Sequence, residues 1–506
     1  MLDPIRRRRR LLAAARPWAT TAPRPWGRSS GATRIAPLAM LIGLVLSAGI
    51  SGGCASRPID DPLAELQSAG TLPNRRLEAI RLLPVDGAGE AERAALARLV
   101  SESGHGPDIR EAAVLRLADI DRPAALAVIR RTLPNMEAWR GLERLCQVVA
   151  REGWVESTPA LVSSWARPIP GQDITDETRP EALALAALHG DDRVVDVVFE
   201  TLMVENGAGA AGLRGRCWEL LHRLGRRDDL FALVADATPN DRDSMMLDLQ
   251  AGVDDLGILP RNREEILWLR RLREPKRRSF WTEASSAVQQ LPAARRAALE
   301  LRDVPVVVSV VRHRPELLNR SDAEIRRDLD ARLDERGRRV RDDQTRDRPM
   351  DTLADHPSMT WGDFAAATLA LEAMAVPAVR EHLFDYAERD RADRGTEYGG
   401  VLALDRQGRF SLLEFPPRLR RDDRRFVATQ DMLDAAYTAL FHFHYHAQEY
   451  ANGAYAGPGF GDRRYADAVR ANCLVFTFTS PRTMNVDWYR HGRVGLDLGT
   501  IDRPGG

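Results

Sequence analysis

Three of the chain's ten histidines stand at alternate positions within five residues, His442-Phe443-His444-Tyr445-His446. In a strand, alternate side chains share one face. The three imidazoles would then point one way, while Phe441, Phe443 and Tyr445 would form the opposite, packed face. Neutral imidazoles one strand step apart can share a metal ion, with Zn–N bonds near 2.0–2.1 Å. The plainer alternative is a polar strand face turned to water. Two carboxylates bracket the run. Glu397 lies upstream in Thr396-Glu397-Tyr398-Gly399-Gly400-Val401, at the mouth of an expected strand. Asp462 ends the downstream turn Gly457-Pro458-Gly459-Phe460-Gly461-Asp462.

The elements around these residues are short and alternate in type. Trp361–Ala375 and Ala378–Glu388 read as helices separated by Pro377. Val401–Leu404 and Phe410–Phe415 flank Asp405-Arg406-Gln407-Gly408, a hairpin signal. Leu474–Thr479 (LVFTFT) has the composition of a buried strand, and Val486–Tyr489 and Val494–Leu498 flank a second hairpin signal, Arg490-His491-Gly492-Arg493. Helices, then strands, then a helix, then strands predict a compact α+β domain over 359–506.

The order Glu, hairpin, His-x-His, loop, Asp resembles the JAB/JAMM (MPN+) metalloprotease-like domain, whose motif is Glu, then His-x-His, then Ser-x-x-Asp. The resemblance covers about the last quarter of the chain. It implies that two histidines and Asp462 bind zinc, with water in the fourth position, and that Glu397 takes the water's proton during attack on a peptide or isopeptide carbonyl. The ligand pair is either His442 with His444 or His444 with His446. His444 belongs to both, and the later register shortens the loop to Asp462. Gly459 stands where the family has Ser, whose hydroxyl helps to hold the oxyanion. The family's Pro after the second His is absent, and the loop from His446 to Asp462 is long. A kindred domain without peptidase activity is the corresponding alternative.

Residues 54–320 read differently. Apolar residues recur at three- and four-residue spacing in pairs of short helices: Pro107 to Arg131 broken at Asp121-Arg122-Pro123, Pro180–His189 with Val194–Met203, and Leu213–Leu224 with Leu230–Ala235. Proline suits a first helical turn, where its missing N–H would have no partner. Pairs recurring about every 30–40 residues suggest an α-solenoid. The segment resembles HEAT repeats on the pattern Pro107-Asp108-Ile109-Arg110-Glu111-Ala112-Ala113. That resemblance implies a curved surface for a protein or peptide partner; an irregular all-α domain is the alternative. No constellation of catalytic type occurs here: His105, His189, His222 and His313 are scattered. Residues 321–358 carry dense interleaved charge and read as a linker or an exposed helix. The expected fold is therefore multidomain, an all-α HEAT-like solenoid followed by a small α+β JAB/JAMM-like domain.

The N-terminus carries its own chemistry. Arg6 to Arg10 form a basic block, Ile35 to Ile50 are apolar and uncharged, and Ser51-Gly52-Gly53 precede Cys54. A basic region, a short apolar region and a small-residue site make a secretory signal, so residues 1–53 are set aside as a signal or anchor segment. The junction resembles a bacterial lipoprotein lipobox, with Ser51 where the family has Leu. The resemblance implies lipidation of Cys54 and membrane attachment in the cell envelope; a cleaved signal or an uncleaved anchor helix are the alternatives. Residues 1–53 hold nine Arg and one Asp, which leaves 64 basic and 72 acidic residues beyond them, a net charge of −8. A mildly acidic body gives no electrostatic reason for nucleic-acid binding. Hydrophobic and charged fractions of 44% and 29% are those of a globular protein. Cys54, Cys146, Cys217 and Cys473 show neither metal-ligand spacing nor pairing, so no disulfide framework is expected.

Two readings of function follow. The first is an envelope-anchored zinc hydrolase whose helical body recruits substrate. The second is a non-catalytic scaffold lipoprotein with a degenerate or structural metal-binding module.

Overall fold

A computed structural model of the chain describes residues 58–167, 175–203, 210–237, 243–336, 352–415 and 427–505. The lipidation candidate Cys54 and the apolar segment before it lie outside the described residues. The chain divides into two compact units, residues 1–206 and 207–506. Among the described residues no single helix is long and apolar enough to cross a membrane.

In the first unit the regular secondary structure among the described residues is all helical. The expected pairs occur as Pro107–Ile120 with Arg122–Thr132, and Pro180–His189 with Val194–Met203. The break between the first two is set by Asp121, whose side chain accepts from the Ala124 N–H at 3.0 Å, followed by Pro123 in the next first turn. Each helix turns its aliphatic stripe inward: Ile109, Ala113, Val114 and Leu117 on one, Ala125, Val128 and Ile129 on the next, all buried. Cys146 belongs to the same kind of interior, and burial pushes its thiol well up.

The second unit joins further helices to one six-stranded sheet. The strands are β1 (Gly399–Leu404), β2 (Phe410–Glu414), β3 (Phe441–His446), β4 (Cys473–Ser480), β5 (Thr483–Arg490) and β6 (Val494–Asp502). Their order is β2-β1-β3-β4-β5-β6. All neighbours are antiparallel except β3 and β4, which are parallel. A parallel pair needs a crossover; here it consists of the loop after His446 and the helix Phe460–Val469. Phe443 and Tyr445 pack against the helix Pro377–Ala392: Tyr386 meets both rings edge-on at centroid distances of 6.3 and 5.6 Å, and the Tyr445 hydroxyl donates to the Leu383 carbonyl at 3.1 Å. That fills one face of β3 and leaves the histidines on the other.

Helices upstream of the sheet are joined to it by buried charge. Arg490 at the end of β5 donates to both oxygens of Asp363, at 2.7 and 2.9 Å. Arg302 reaches the same carboxylate at 2.8 Å and the Asn472 side chain at 3.0 Å. Arg470 joins Glu265 and Glu300, each at 2.9 Å. Glu300 is held well below the usual carboxylate range: burial opposes its ionisation, but Arg302, His491 and Arg470 outweigh it. The charge-dense stretch enters the fold as a helix over Asp322–Glu335, capped by Ser321 and Glu324 and packed through buried Ile325, Leu329 and Leu333.

Candidate metal centre

The histidine strand carries its imidazoles on the sheet face covered by the helix Phe460–Val469. Gly399 pairs with His444, Gly400 with Phe443 and Val401 with His442. Continuing that antiparallel register places Glu397 beside the end of β3, across from His446. The turn that presents Glu397 is tied to the helix before it: the Tyr398 N–H donates to buried Asp390 at 2.7 Å, and the Gly395 N–H to Asp393 at 2.9 Å. Glu397 itself is only 5% exposed.

Asp462 arrives from the other side. Gly459 caps the helix Phe460–Val469, and Asp462 at the third helical position accepts the Gly459 N–H at 2.7 Å. This holds the carboxylate against the strand. His444 Nε2 lies 3.2 Å from Asp462 Oδ1, His446 Nε2 lies 3.5 Å from Asp462 Oδ2, and His444 Nε2 lies 3.8 Å from Glu397 Oε1. One candidate ligand atom from each of Glu397, His444 and His446 stands within 4.8 Å of the others. Among the described residues that trio is the one group of His, Cys, Asp or Glu side chains so arranged.

The electrostatics follow from burial and charge. Burial alone would raise the Asp462 pKa, but the charge of His444 and hydrogen bonds from His444 and His446 outweigh it, so the carboxyl is held far below its ordinary range. The far nitrogen of His446, Nδ1, sits 2.7 Å from the Tyr455 carbonyl oxygen. A carbonyl only accepts, so Nδ1 carries a proton, and Nε2 is the ring nitrogen turned toward Asp462. Asn452 braces the same strand end, donating to the His446 carbonyl at 3.0 Å.

His442 is placed differently. It lies deeper on the same face, buried, with Nδ1 2.7 Å from the Tyr465 hydroxyl. Burial brings its pKa down to about 4, so it is neutral at pH 7. The structure thus groups His444 and His446 with Glu397 and Asp462, and sets His442 one step below them. Tyr465, Tyr455 and Asn452 were not singled out from the sequence. Tyr465 had a readable signal, since it follows Asp462 by three residues and would share its helix face. That required recognising a helix after a glycine-rich turn.

No protein family, no curated protein and no solved structure matches the chain.

Proposed function

We propose that the C-terminal domain is a zinc-dependent hydrolase of peptide or isopeptide bonds of the JAB/JAMM-like kind. The single observation that carries the reading is the convergence of four donor side chains: one ligand atom each from Glu397, His444 and His446 lies within 4.8 Å of the others, and the Asp462 carboxylate lies against both imidazoles. Asp462 Oδ1 lies 3.2 Å from His444 Nε2 and Asp462 Oδ2 lies 3.5 Å from His446 Nε2, so each carboxylate oxygen faces one imidazole. Their chemistry also fits, since two imidazoles and a carboxylate are ordinary zinc donors. His444, His446 and Asp462 would hold the ion. A zinc ion so held supplies Lewis acidity and makes a water easier to deprotonate.

The chain's own residues would do the rest. The Glu397 carboxylate, 3.8 Å from His444 Nε2, accepts a proton at Oε1 and can return it to a leaving amine. The Tyr455 carbonyl fixes the His446 tautomer, and the Gly459 N–H keeps Asp462 aimed at both rings. On this reading residues 54–320 form a HEAT-like solenoid that recruits a protein or peptide, and lipidated Cys54 anchors the protein in the cell envelope. These last points rest on the sequence patterns of those segments.

The test is metal analysis of the purified protein. About one zinc per chain is expected in the parent and none in His444→Ala. Glu397→Gln should keep the metal and lose isopeptide hydrolysis. A parent protein with no stoichiometric zinc overturns the reading. A second reading, a scaffold whose module binds metal without catalysis, is favoured by Gly459, which offers no hydroxyl to the oxyanion. Hydrolysis abolished by Glu397→Gln with metal retained would exclude it.

A further inference from the structure

We propose that His442 and Tyr465 form a positioning pair that sets the Asp462 helix at the depth where Asp462 meets His444 and His446. The inference rests on the metal-centre reading and assigns His442 a place outside the ligand set. His442, His444 and His446 share one face of β3, and Asp462 and Tyr465 share one face of the helix Phe460–Val469, three residues apart. Strand and helix therefore meet at two successive levels. At the upper level Asp462 faces His444 and His446 at 3.2 and 3.5 Å. At the lower level Tyr465 Oη lies 2.7 Å from His442 Nδ1, and the two rings are tilted at a centroid distance of 5.9 Å.

At the lower level His442 is buried and Tyr465 half-buried. Cys473 pairs with His442 on β4, and Tyr489 pairs with Cys473 on β5; both are about 1% exposed. A hydrogen bond to a buried group needs its partner at close range, because an unmade one leaves the buried His442 nitrogen unsatisfied. The Tyr465 hydroxyl therefore sets the distance between helix and strand one turn below the carboxylate. His442 does not offer that nitrogen to a metal while it is engaged with Tyr465.

Cobalt(II) titration of the full protein tests this, because the visible bands of bound Co²⁺ report coordination geometry and a merely structural role would not move them. The parent should bind one Co²⁺. Tyr465→Phe, which removes one oxygen and keeps the ring, should weaken binding about ten- to a hundredfold, the usual range for supporting residues around a metal site. It should also shift the bands while leaving the melting temperature close to the parent's. His442→Gln, whose amide can still meet the hydroxyl, should lie nearer the parent than His442→Ala. If the parent binds Co²⁺ and Tyr465→Phe matches it in affinity and spectrum, the positioning role is wrong and the metal centre stands. If His442→Ala abolishes binding while Tyr465→Phe has no effect, His442 is a ligand and the assignment fails. If the parent binds no Co²⁺, the metal centre and this inference fall together.

Discussion

Replacing Asp363 with Ala should loosen the sheet unit by about 3–5 kcal/mol. Asp363 is fully buried at the third position of the helix Trp361–Ala375. Its carboxylate accepts the Thr360 N–H at 2.8 Å, both forks of Arg490 at 2.7 and 2.9 Å, and Arg302 at 2.8 Å. Arg302 and Arg490 hold it below its ordinary pKa against the opposing effect of burial. Truncation removes a helix cap, worth about 0.5–2 kcal/mol, and strands a buried cation. Arg302 keeps Glu300 and Asp303, whereas Arg490 is left with the His491 carbonyl at 2.9 Å among the described residues. Breaking a buried pair on one side costs about 3–5 kcal/mol, and the cap loss overlaps that figure because one carboxylate serves both. Hydrogen exchange followed by mass spectrometry localises the effect. Peptides over 483–502 should lose protection by about a hundred- to several-thousandfold, since 1.4 kcal/mol is a factor of about ten. Peptides over 107–132 in the other unit should not change and serve as the control. A loss below about fivefold at 483–502 would show that the network contributes little, and the reasoning from buried charge would be wrong.

Three further outcomes are expected. His222 is half-buried and flanked by Arg261 and Arg227; desolvation first, then those charges, lower its pKa to about 4. The unfolded chain, with an imidazole near 6.5, binds the proton first, so stability is intact above pH 6.5 and falls as pH drops toward 4, by roughly 3 kcal/mol from this group. Melting curves of the parent and His222→Gln from pH 7 to 4 check this, and equal pH dependence in the two refutes it. Gly400→Ala should destabilise by about 1–3 kcal/mol, because the new Cβ would stand 2.3 Å from the Leu413 carbonyl oxygen and 3.0 Å from the Phe443 ring; an unchanged urea midpoint would contradict it. Gly459→Ser should be tolerated, since the backbone there is extended and its Cβ would meet Asp462 Oδ2 at an ordinary 3.4 Å. On the hydrolase reading it should raise the rate, up to about 10²–10³ if the hydroxyl reaches the oxyanion; a lowered melting temperature would count against the steric reading.

The strands and the two helices before them were legible because their signals are local. Asp405-Arg406-Gln407-Gly408 and Arg490-His491-Gly492-Arg493 are turn chemistry, and the structure has hairpins at both. Alternation of aromatic and imidazole residues gave the two faces of β3, since a strand repeats every two residues. What the sequence hid is non-local or contradicts its local appearance. The run Gly457 to Asp462 reads as a turn, yet Phe460 opens a helix, and Asp462 sits in its first turn rather than in a loop. Glycine caps such a helix through its backbone alone, so no Ser, Thr or Asp marks the start. The parallel pairing of β3 with β4 depends on that hidden helix. The stretch after Ser321 looked like a solvated connector because charges outnumber apolar residues, but Ile325, Leu329 and Leu333 at four-residue spacing suffice to pack one face.

The division of the chain between residues 206 and 207 changes what the site depends on. The helix that carries Asp462 is held at its two ends by different parts of the second unit. Its N-terminal end faces the imidazoles of β3. Its C-terminal end is held by residues of the helical segment: the Asn262 side chain donates to the Ala468 carbonyl at 3.3 Å, and Arg470, in a left-handed cap, reaches Glu265 and Glu300. Glu300 is in turn fixed by Arg302 at 2.9 Å and by His491 at 2.5 Å. A rigid helix transmits a tilt at one end to the other, and a tilt moves the Asp462 carboxylate, which stands 3.2 and 3.5 Å from its two imidazoles. The geometry of the candidate centre is therefore a property of residues 207–506 taken together, and the helices before the sheet belong to its support.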